Sequence, residues 1–325
     1  MKVKTMLWKR IAMIRGTTFA GCALFLLLGA GCGERPDSST AKPVSDRKIR
    51  VTTTVTMVGD LVKQVGGDRV EVQGLMGPGV DPHLYKATAS DVTKLQNADV
   101  IFYSGLLLEG KMQDIFSKLA RAKKYVYAVT EAIPPDSLLE PPEFAGHYDP
   151  HVWFEVPSWK LCVETVVKGL SEYDPASKAY YEQRGVEVKL KMDQLHDWAL
   201  KRAAELPQEK RILITSHDAF NYFGRAYGFK VVGLQGISTV TESSLADMAK
   251  MVEFIKKNNV KAVFVESSVA PTTIKRISED AGVKIGGELF SDAMGTPGQI
   301  ENGYDLGTYE GMIKHNLDTV VNALK

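Results

Sequence analysis

Apolar and polar positions alternate along this chain in a recurring rhythm. From Lys48 the stretch "KIRVTTTVTMVGDLVKQVGGDRVEVQGLM" reads as a strand over about 49–55, a helix over about 57–65 closed by Gly66-Gly67, and a strand over about 69–75. In "TASDVTKLQNADVIFYSG" either Ser90 or Thr88 can cap a helix running to about Asn97, and "DVIFYS" is a buried strand. Strand, helix, strand, helix, strand is the rhythm of a parallel α/β sheet. A loop-like stretch over 141–157 leads into a helix from Ser158 to about Tyr173. The longest periodic segment follows, with Asp174 as N-cap, Pro175 in the first turn and apolar positions continuing to about Leu206, before Pro207. About thirty helical residues make a rod of about 45 Å, too long for the interior of one small domain. Beyond it the α/β rhythm resumes to the end, with a last helix over about 308–324. The prediction is two α/β lobes with parallel sheets, residues 49–173 and 207–325, joined by one long rigid helix over 174–206.

The first residues follow another pattern. Lys2, Lys4, Lys9, Arg10 and Arg15 form a basic head, and the apolar run "FAGCALFLLLGAG" follows from Phe19 to Gly31. That is short for a bilayer span and has the layout of an export signal over 1–31. It ends on "LLGAGC", similar to the bacterial lipoprotein signal, which makes Cys32 the candidate for lipidation. Gly29 stands where such signals prefer Leu, and a plain signal peptide cleaved near Ala30 is the alternative. Residues 32–48 are polar, with Pro and Ser, and read as a lipid-anchored flexible tether.

Composition narrows the function classes. At 44% hydrophobic and 24% charged, the chain reads as a soluble globular protein beyond its signal. Loss of residues 1–31 removes five cations and no acid, taking the formal net charge from +1 to −4. This argues against a nucleic-acid partner. With Cys22 gone and Cys32 acylated, Cys162 stands alone in an apolar helical pattern, so a disulfide framework is excluded.

The triplet Asp-Pro-His occurs twice, in "GVDPHLY" and "YDPHVWF". Pro82 and Pro150 fix their own φ and stiffen the loops that present His83 and His151. His217 follows directly on the strand "RILITS", and Asp292 follows "KIGGELF" by way of Ser291. Open α/β sheets bind ligands beyond the carboxyl ends of their strands. Two facing lobes would therefore bring these four residues together in the cleft as three imidazoles and one carboxylate, a donor set suited to Zn, Mn or Fe. Each residue taken alone reads more readily as a capping or core-edge polar group, and it is repetition and placement together that point to a metal set. Asp81 and Asp149 can accept from the far nitrogen of the following His or from a nearby backbone N–H, and the alternative is a plain turn role. Glu266 ends a strand and can point into the cleft or cap the next helix. His147 is read as exposed or an accessory ligand, His196 and His315 as helix surface, and Asp218 as the N-cap of the helix in "AFNYFGRAY".

At these residues the sequence resembles the metal-binding solute-binding proteins of zinc and manganese ABC importers, the cluster 9 or cluster A-I family. The stretches that carry the likeness are "GVDPHLYKATASDV", "YDPHVWFEVPSW", "ITSHDAFNYFGRAYGFKVVGLQGISTVTESS", "VFVESSVAP" and "GGELFSDAMG". The resemblance implies two α/β lobes on a rigid helix and ligands at His83, His151, His217 and Asp292. It implies Mn2+ or Zn2+ as cargo, with Fe2+ within the same donor preference, and a membrane permease and ATPase as partners of a monomeric, lipid-anchored protein outside the cytoplasm. His at position 217 resembles the three-His, one-Asp treponemal-type members. The long His-rich loop of dedicated zinc importers is missing before His151, where only "EFAGHYDPH" stands. Two other classes remain: a zinc hydrolase, disfavoured because Asp292 fills the fourth position and no HExxH helix supplies a base, and a surface adhesin, for which there is no separate module.

Overall fold

The computed structural model describes residues 47–325. The signal, Cys32 and nearly all of the tether lie outside the described residues. The first lobe opens with β1 (Ile49–Thr53), α1 (Thr56–Gly66), β2 (Val70–Gly74), α2 (Ala89–Asn97), β3 (Val100–Tyr103), α3 (Gln113–Arg121) and β4 (Tyr125–Ala128). The four strands form one parallel sheet in the order β2-β1-β3-β4. The inner strands are covered on both faces, which is why β1 and β3 carry nearly unbroken apolar or Thr runs rather than alternation. In α1 the apolar side chains Met57, Val58, Leu61, Val62 and Val65 recur at helical spacing and are buried. Of the two candidate caps for α2 the structure selects Thr88. Asp91 lies at the third helical position and accepts from the Thr88 N–H at 2.9 Å, while the Thr88 hydroxyl accepts from the Asp91 N–H at 3.2 Å.

Helix α4 (Val156–Tyr173) leads into α5 (Lys178–Ala204), 27 residues and about 40 Å long. It begins later than the sequence predicts. Asp174 instead precedes a 3-10 turn over Pro175–Ser177, and its carboxylate accepts from Arg69 and Tyr181 at 2.8 and 2.9 Å. One stripe of α5 is buried along its whole length, from Tyr181, Gly185 and Val188 through Met192 and Leu195 to Ala199 and Ala203. It packs on α1 and α4.

The second lobe contains β5 (Ile212–His217), α6 (Asn221–Tyr227), β6 (Lys230–Gln235), α7 (Leu245–Lys257), β7 (Ala262–Glu266), α8 (Thr272–Ala281), β8 (Lys284–Leu289), a short antiparallel hairpin of β9 (Ile300–Glu301) and β10 (Tyr304–Asp305), and α9 (Tyr309–Leu324). Helix α5 also packs on α6 and α9. The predicted parallel sheet is present as two parallel pairs, β5 with β6 and β7 with β8, with β5 lying beside β7. Strand alternation divides the core here. Leu213, Ala262 and Phe264 join a large core that also includes Ile49, Phe102, Trp159 and Leu317. Ile214, Val263 and Val265 face a second core with Met251, Ile255, Ile274 and Ile277 of α7 and α8. Among the described residues no helix is long and apolar enough to cross a membrane. Cys162 is buried in the large core, as its helical pattern predicts.

Candidate metal centre

Each of the four predicted ligands leaves its lobe beyond the carboxyl end of a strand or at the head of a helix-bound loop. His83 follows β2, His151 precedes a 3-10 turn over Val152–Phe154 that runs into α4, His217 ends β5, and Asp292 follows β8. The structure brings all four together, buried, with their donor atoms within 4.8 Å of one another. His83 Nε2 is 3.3 Å from His151 Nε2, His151 Nε2 is 3.3 Å from Asp292 Oδ1, and His217 Nε2 is 3.4 Å from Asp292 Oδ2. Two of these atoms, His217 Nε2 and Asp292 Oδ1, are buried and make no hydrogen bond. Buried polar atoms are rarely left in that state. Each of the two faces an oppositely charged member of the same cluster without the geometry of a hydrogen bond, a gap that a divalent cation would fill, and the set fits Zn or Mn chemistry.

Carboxylates behind the rings fix their orientation. Asp149 Oδ1 lies 2.7 Å from His151 Nδ1 and also accepts from the His151 N–H at 3.0 Å, while Asn221 donates to its other oxygen at 3.2 Å. Glu266 Oε1 accepts from the His217 N–H at 2.8 Å, and its Oε2 closes to 2.5 Å on His217 Nδ1, off the hydrogen-bonding line. With Nδ1 turned to an acid, Nε2 is the donor left for an ion. Asp81 takes the other course open to it. It accepts from the backbone N–H groups of His83 and Leu84 at 2.8 and 3.3 Å and from Thr239 of the opposite lobe at 2.6 Å, thereby holding the loop.

Burial and these acids pull the imidazoles apart. Burial pushes His83 down to about 3, only partly countered by Asp292. Burial also works against the His151 cation, but Asp149 and Asp292 outweigh it and raise that ring to about 9. Glu266 and Asp292 likewise outweigh burial and hold His217 well above its ordinary value. Asp292 is held well below the carboxylate range in spite of its burial, chiefly by His217.

Some readings from the sequence need correction. His147 is exposed and outside the cluster, as expected. His315 is not surface: it is 13% exposed, bonded through Nε2 to the Glu288 carbonyl at 3.0 Å and packed on Phe290, because its face of α9 lies over the edge of β8. His196 is half-buried beside Tyr227, because α5 packs on α6 at that level. Asp218 does not cap α6, which begins three residues further on behind Phe220, and Glu266 serves His217 rather than α8, which begins at Thr272. Three participants were missed. Trp153 donates from Nε1 to the Ser291 carbonyl at 3.0 Å, tying the His151 loop to the Asp292 loop. Ser291 and Ser268 share a hydroxyl contact of 2.7 Å beside Asp292. Trp153 stands two residues after a predicted ligand, and Ser268 two residues after Glu266 within the quoted stretch "VFVESSVAP", though nothing in that stretch singles out its hydroxyl.

Two α/β lobes backed by one helix, with a buried nitrogen-and-carboxylate cluster where they face each other, define a binding protein that takes a small ligand into its cleft. The chain belongs to the family described as "Zinc-uptake complex component A periplasmic", whose profile matches residues 51–323. It is 42% identical over 321 residues to the "Manganese-binding lipoprotein MntA" of Bacillus subtilis, covering 97% of this chain and 100% of that one. It is 44% identical over 308 residues to the "Zinc-binding protein TroA" of Treponema pallidum, covering 93% and 97%. The solved structure of the periplasmic zinc-binding TroA superposes with a TM-score of 0.81 at 45% identity, over 85% of this chain and 99% of that one.

Proposed function

We propose that this protein captures Mn2+ or Zn2+ outside the cytoplasm on His83, His151, His217 and Asp292 and hands it to the permease and ATPase of an ABC importer. The observation that carries this reading is the convergence of four buried donors, two of which make no hydrogen bond. Relatives in the family bear the names of manganese-binding and zinc-binding proteins, and of ABC transporter lipoproteins. The family is one of transport proteins, not enzymes, and Asp292 stands in the fourth position that a hydrolytic zinc would need for its water. Anchoring through acylated Cys32 and a monomeric state complete the proposal.

Intrinsic affinity runs Mn2+ < Fe2+ < Zn2+ for such donors, so zinc binds more tightly in vitro whichever ion the cell supplies. The test is elemental analysis of protein purified under metal limitation, then competitive Mn2+/Zn2+ titration of the wild type and Asp292→Ala. A bound transition metal, lost or strongly weakened in the variant, is the expected result. Protein that binds neither ion, or a variant that binds both as well as the wild type, overturns the reading.

A further inference from the structure

The two oxygens of Asp292 are not equivalent. Oδ1 makes no hydrogen bond, whereas Oδ2 accepts from the Ser268 hydroxyl at 3.3 Å. Ser268 in turn lies 2.7 Å from the hydroxyl of Ser291, which is fully buried. A hydroxyl has one proton to give. When Ser291 donates to Ser268, the Ser268 proton is committed to Oδ2, and the three residues form a directed relay ending on the ligand. Strand register builds the relay. Glu266 of β7 pairs with Leu289 of β8, and the Ser267 N–H continues the ladder to the Leu289 carbonyl at 2.9 Å. Two residues past each strand end, Ser268 and Ser291 then stand face to face. The strand that positions Glu266 against His217 therefore also positions Ser268 against Asp292.

We propose that Ser268 sets how many oxygens Asp292 gives to the ion and so biases the site between metals of low and high coordination number. This rests on the ligand set proposed above. Both carboxylate oxygens face the imidazoles, Oδ1 toward His151 and Oδ2 toward His217. A hydrogen bond to Oδ2 draws on the lone pairs an ion would otherwise share. Asp292 then binds mainly through Oδ1, and three nitrogens and one oxygen complete the four-coordinate shell that suits zinc. Manganese favours a higher coordination number and more oxygen donors. Loss of the hydroxyl makes the two oxygens equal and frees the second for the ion. Ser268 touches the ligand and not the metal, so it is a positioning residue.

The test uses Co2+ as a spectroscopic probe together with competitive Zn2+/Mn2+ titration, on the full chain. Four-coordinate Co2+ absorbs far more strongly in the visible than five- or six-coordinate Co2+. Ser268→Ala is expected to weaken the visible cobalt band and to lower the Zn2+/Mn2+ affinity ratio by about threefold or more, a fraction of the about 10- to 100-fold that outer contacts to metal ligands contribute to affinity itself. Ser268→Thr, which keeps the hydroxyl, is expected to restore both. An unchanged cobalt band and ratio in Ser268→Ala overturns the inference. So does an equal loss of both metals with an unchanged band, which would mark a merely structural role. Wild-type protein that binds no Co2+ would overturn the ligand set itself, and the inference with it.

Discussion

Asp81 and Asp149 occupy the same place in identical triplets and do different work. Asp149 reaches the His151 ring, while Asp81 reaches only backbone and Thr239. Asp149→Asn is therefore expected to weaken metal binding about 10- to 100-fold, and Asp81→Asn by distinctly less, both measured by chelator competition. Equal losses would remove the distinction. The raised imidazoles carry a second prediction. Without an ion, His151 and His217 hold protons at neutral pH, and an ion must displace both from Nε2. Calorimetry at about pH 7.5 in buffers of different ionisation enthalpy should find close to two protons released per ion, with affinity rising as pH climbs toward 9. The metal-free protein should behave in the opposite sense. The folded-state value of His151 is raised, so its contribution to stability is full below 6.5 and is lost as pH rises through about 9. His83 is lowered, so its neutral burial costs stability as pH falls from 6.5 toward 3. Thermal melts of the metal-free protein should therefore peak near neutrality. The four candidate ligands were legible in the sequence because residue type coincides with a place beyond a strand for His83, His217 and Asp292, and with the repeated Asp-Pro-His triplet for His83 and His151. The partners of Asp81 were not, since a neighbouring ring and a neighbouring N–H are equally near along the chain.

At the scale of elements, glycine in β6 governs the β5 end that carries His217. A Cβ on Gly233 would stand 2.5 Å from the Asp218 backbone N and Cα, which cannot swing away as a side chain would. Gly233→Ala is expected to destabilise the protein by about 1–3 kcal/mol and to weaken metal binding by shifting the His217 loop, read by denaturant melts and titration. Stability lost without any change in affinity would refute the coupling. The elements read correctly from sequence are those with a dense apolar period or a cap, such as α1, α2, α4, β3 and β5. Those missed bury little. Helix α3 buries only Phe116, and the exposed end of β4 at Tyr125 hides its strand character. The β9–β10 hairpin has two residues per strand, too few for any period to show. The start of α5 was misplaced because Asp174-Pro175 has the chemistry of a helix start, yet its carboxylate is claimed by Arg69 and Tyr181.

At the scale of the molecule, α5 buries one stripe against both lobes, so a wide hinge would have to strip it from one of them. Cross-lobe contacts add to this: Trp153 to Ser291, Thr239 to Asp81, and the Thr56 hydroxyl accepting from the Met294 N–H at 2.8 Å. Spin labels at exposed Lys123 and Lys257 should therefore shift by less than about 5 Å on metal binding, and a hinge-scale change would count against this. The architecture was legible because the rhythm of strands and helices repeats on either side of one uninterrupted helix. The division of the core was not, because it depends on which face of β5 and β7 each neighbouring helix covers.

That division has a consequence for how the protein comes apart. The core beneath α7 and α8 is the smaller of the two, and it has its own residues. Its amides should exchange with solvent before those of the large core, as a separate cooperative opening. Such an opening would loosen β7 and β8, which carry Glu266 and lead to Ser268 and Asp292, while His83 and His151 stay on the intact side. The bound ion could then escape through a partial unfolding that leaves most of the molecule standing, and its residence time would report the integrity of an outer layer that never touches it.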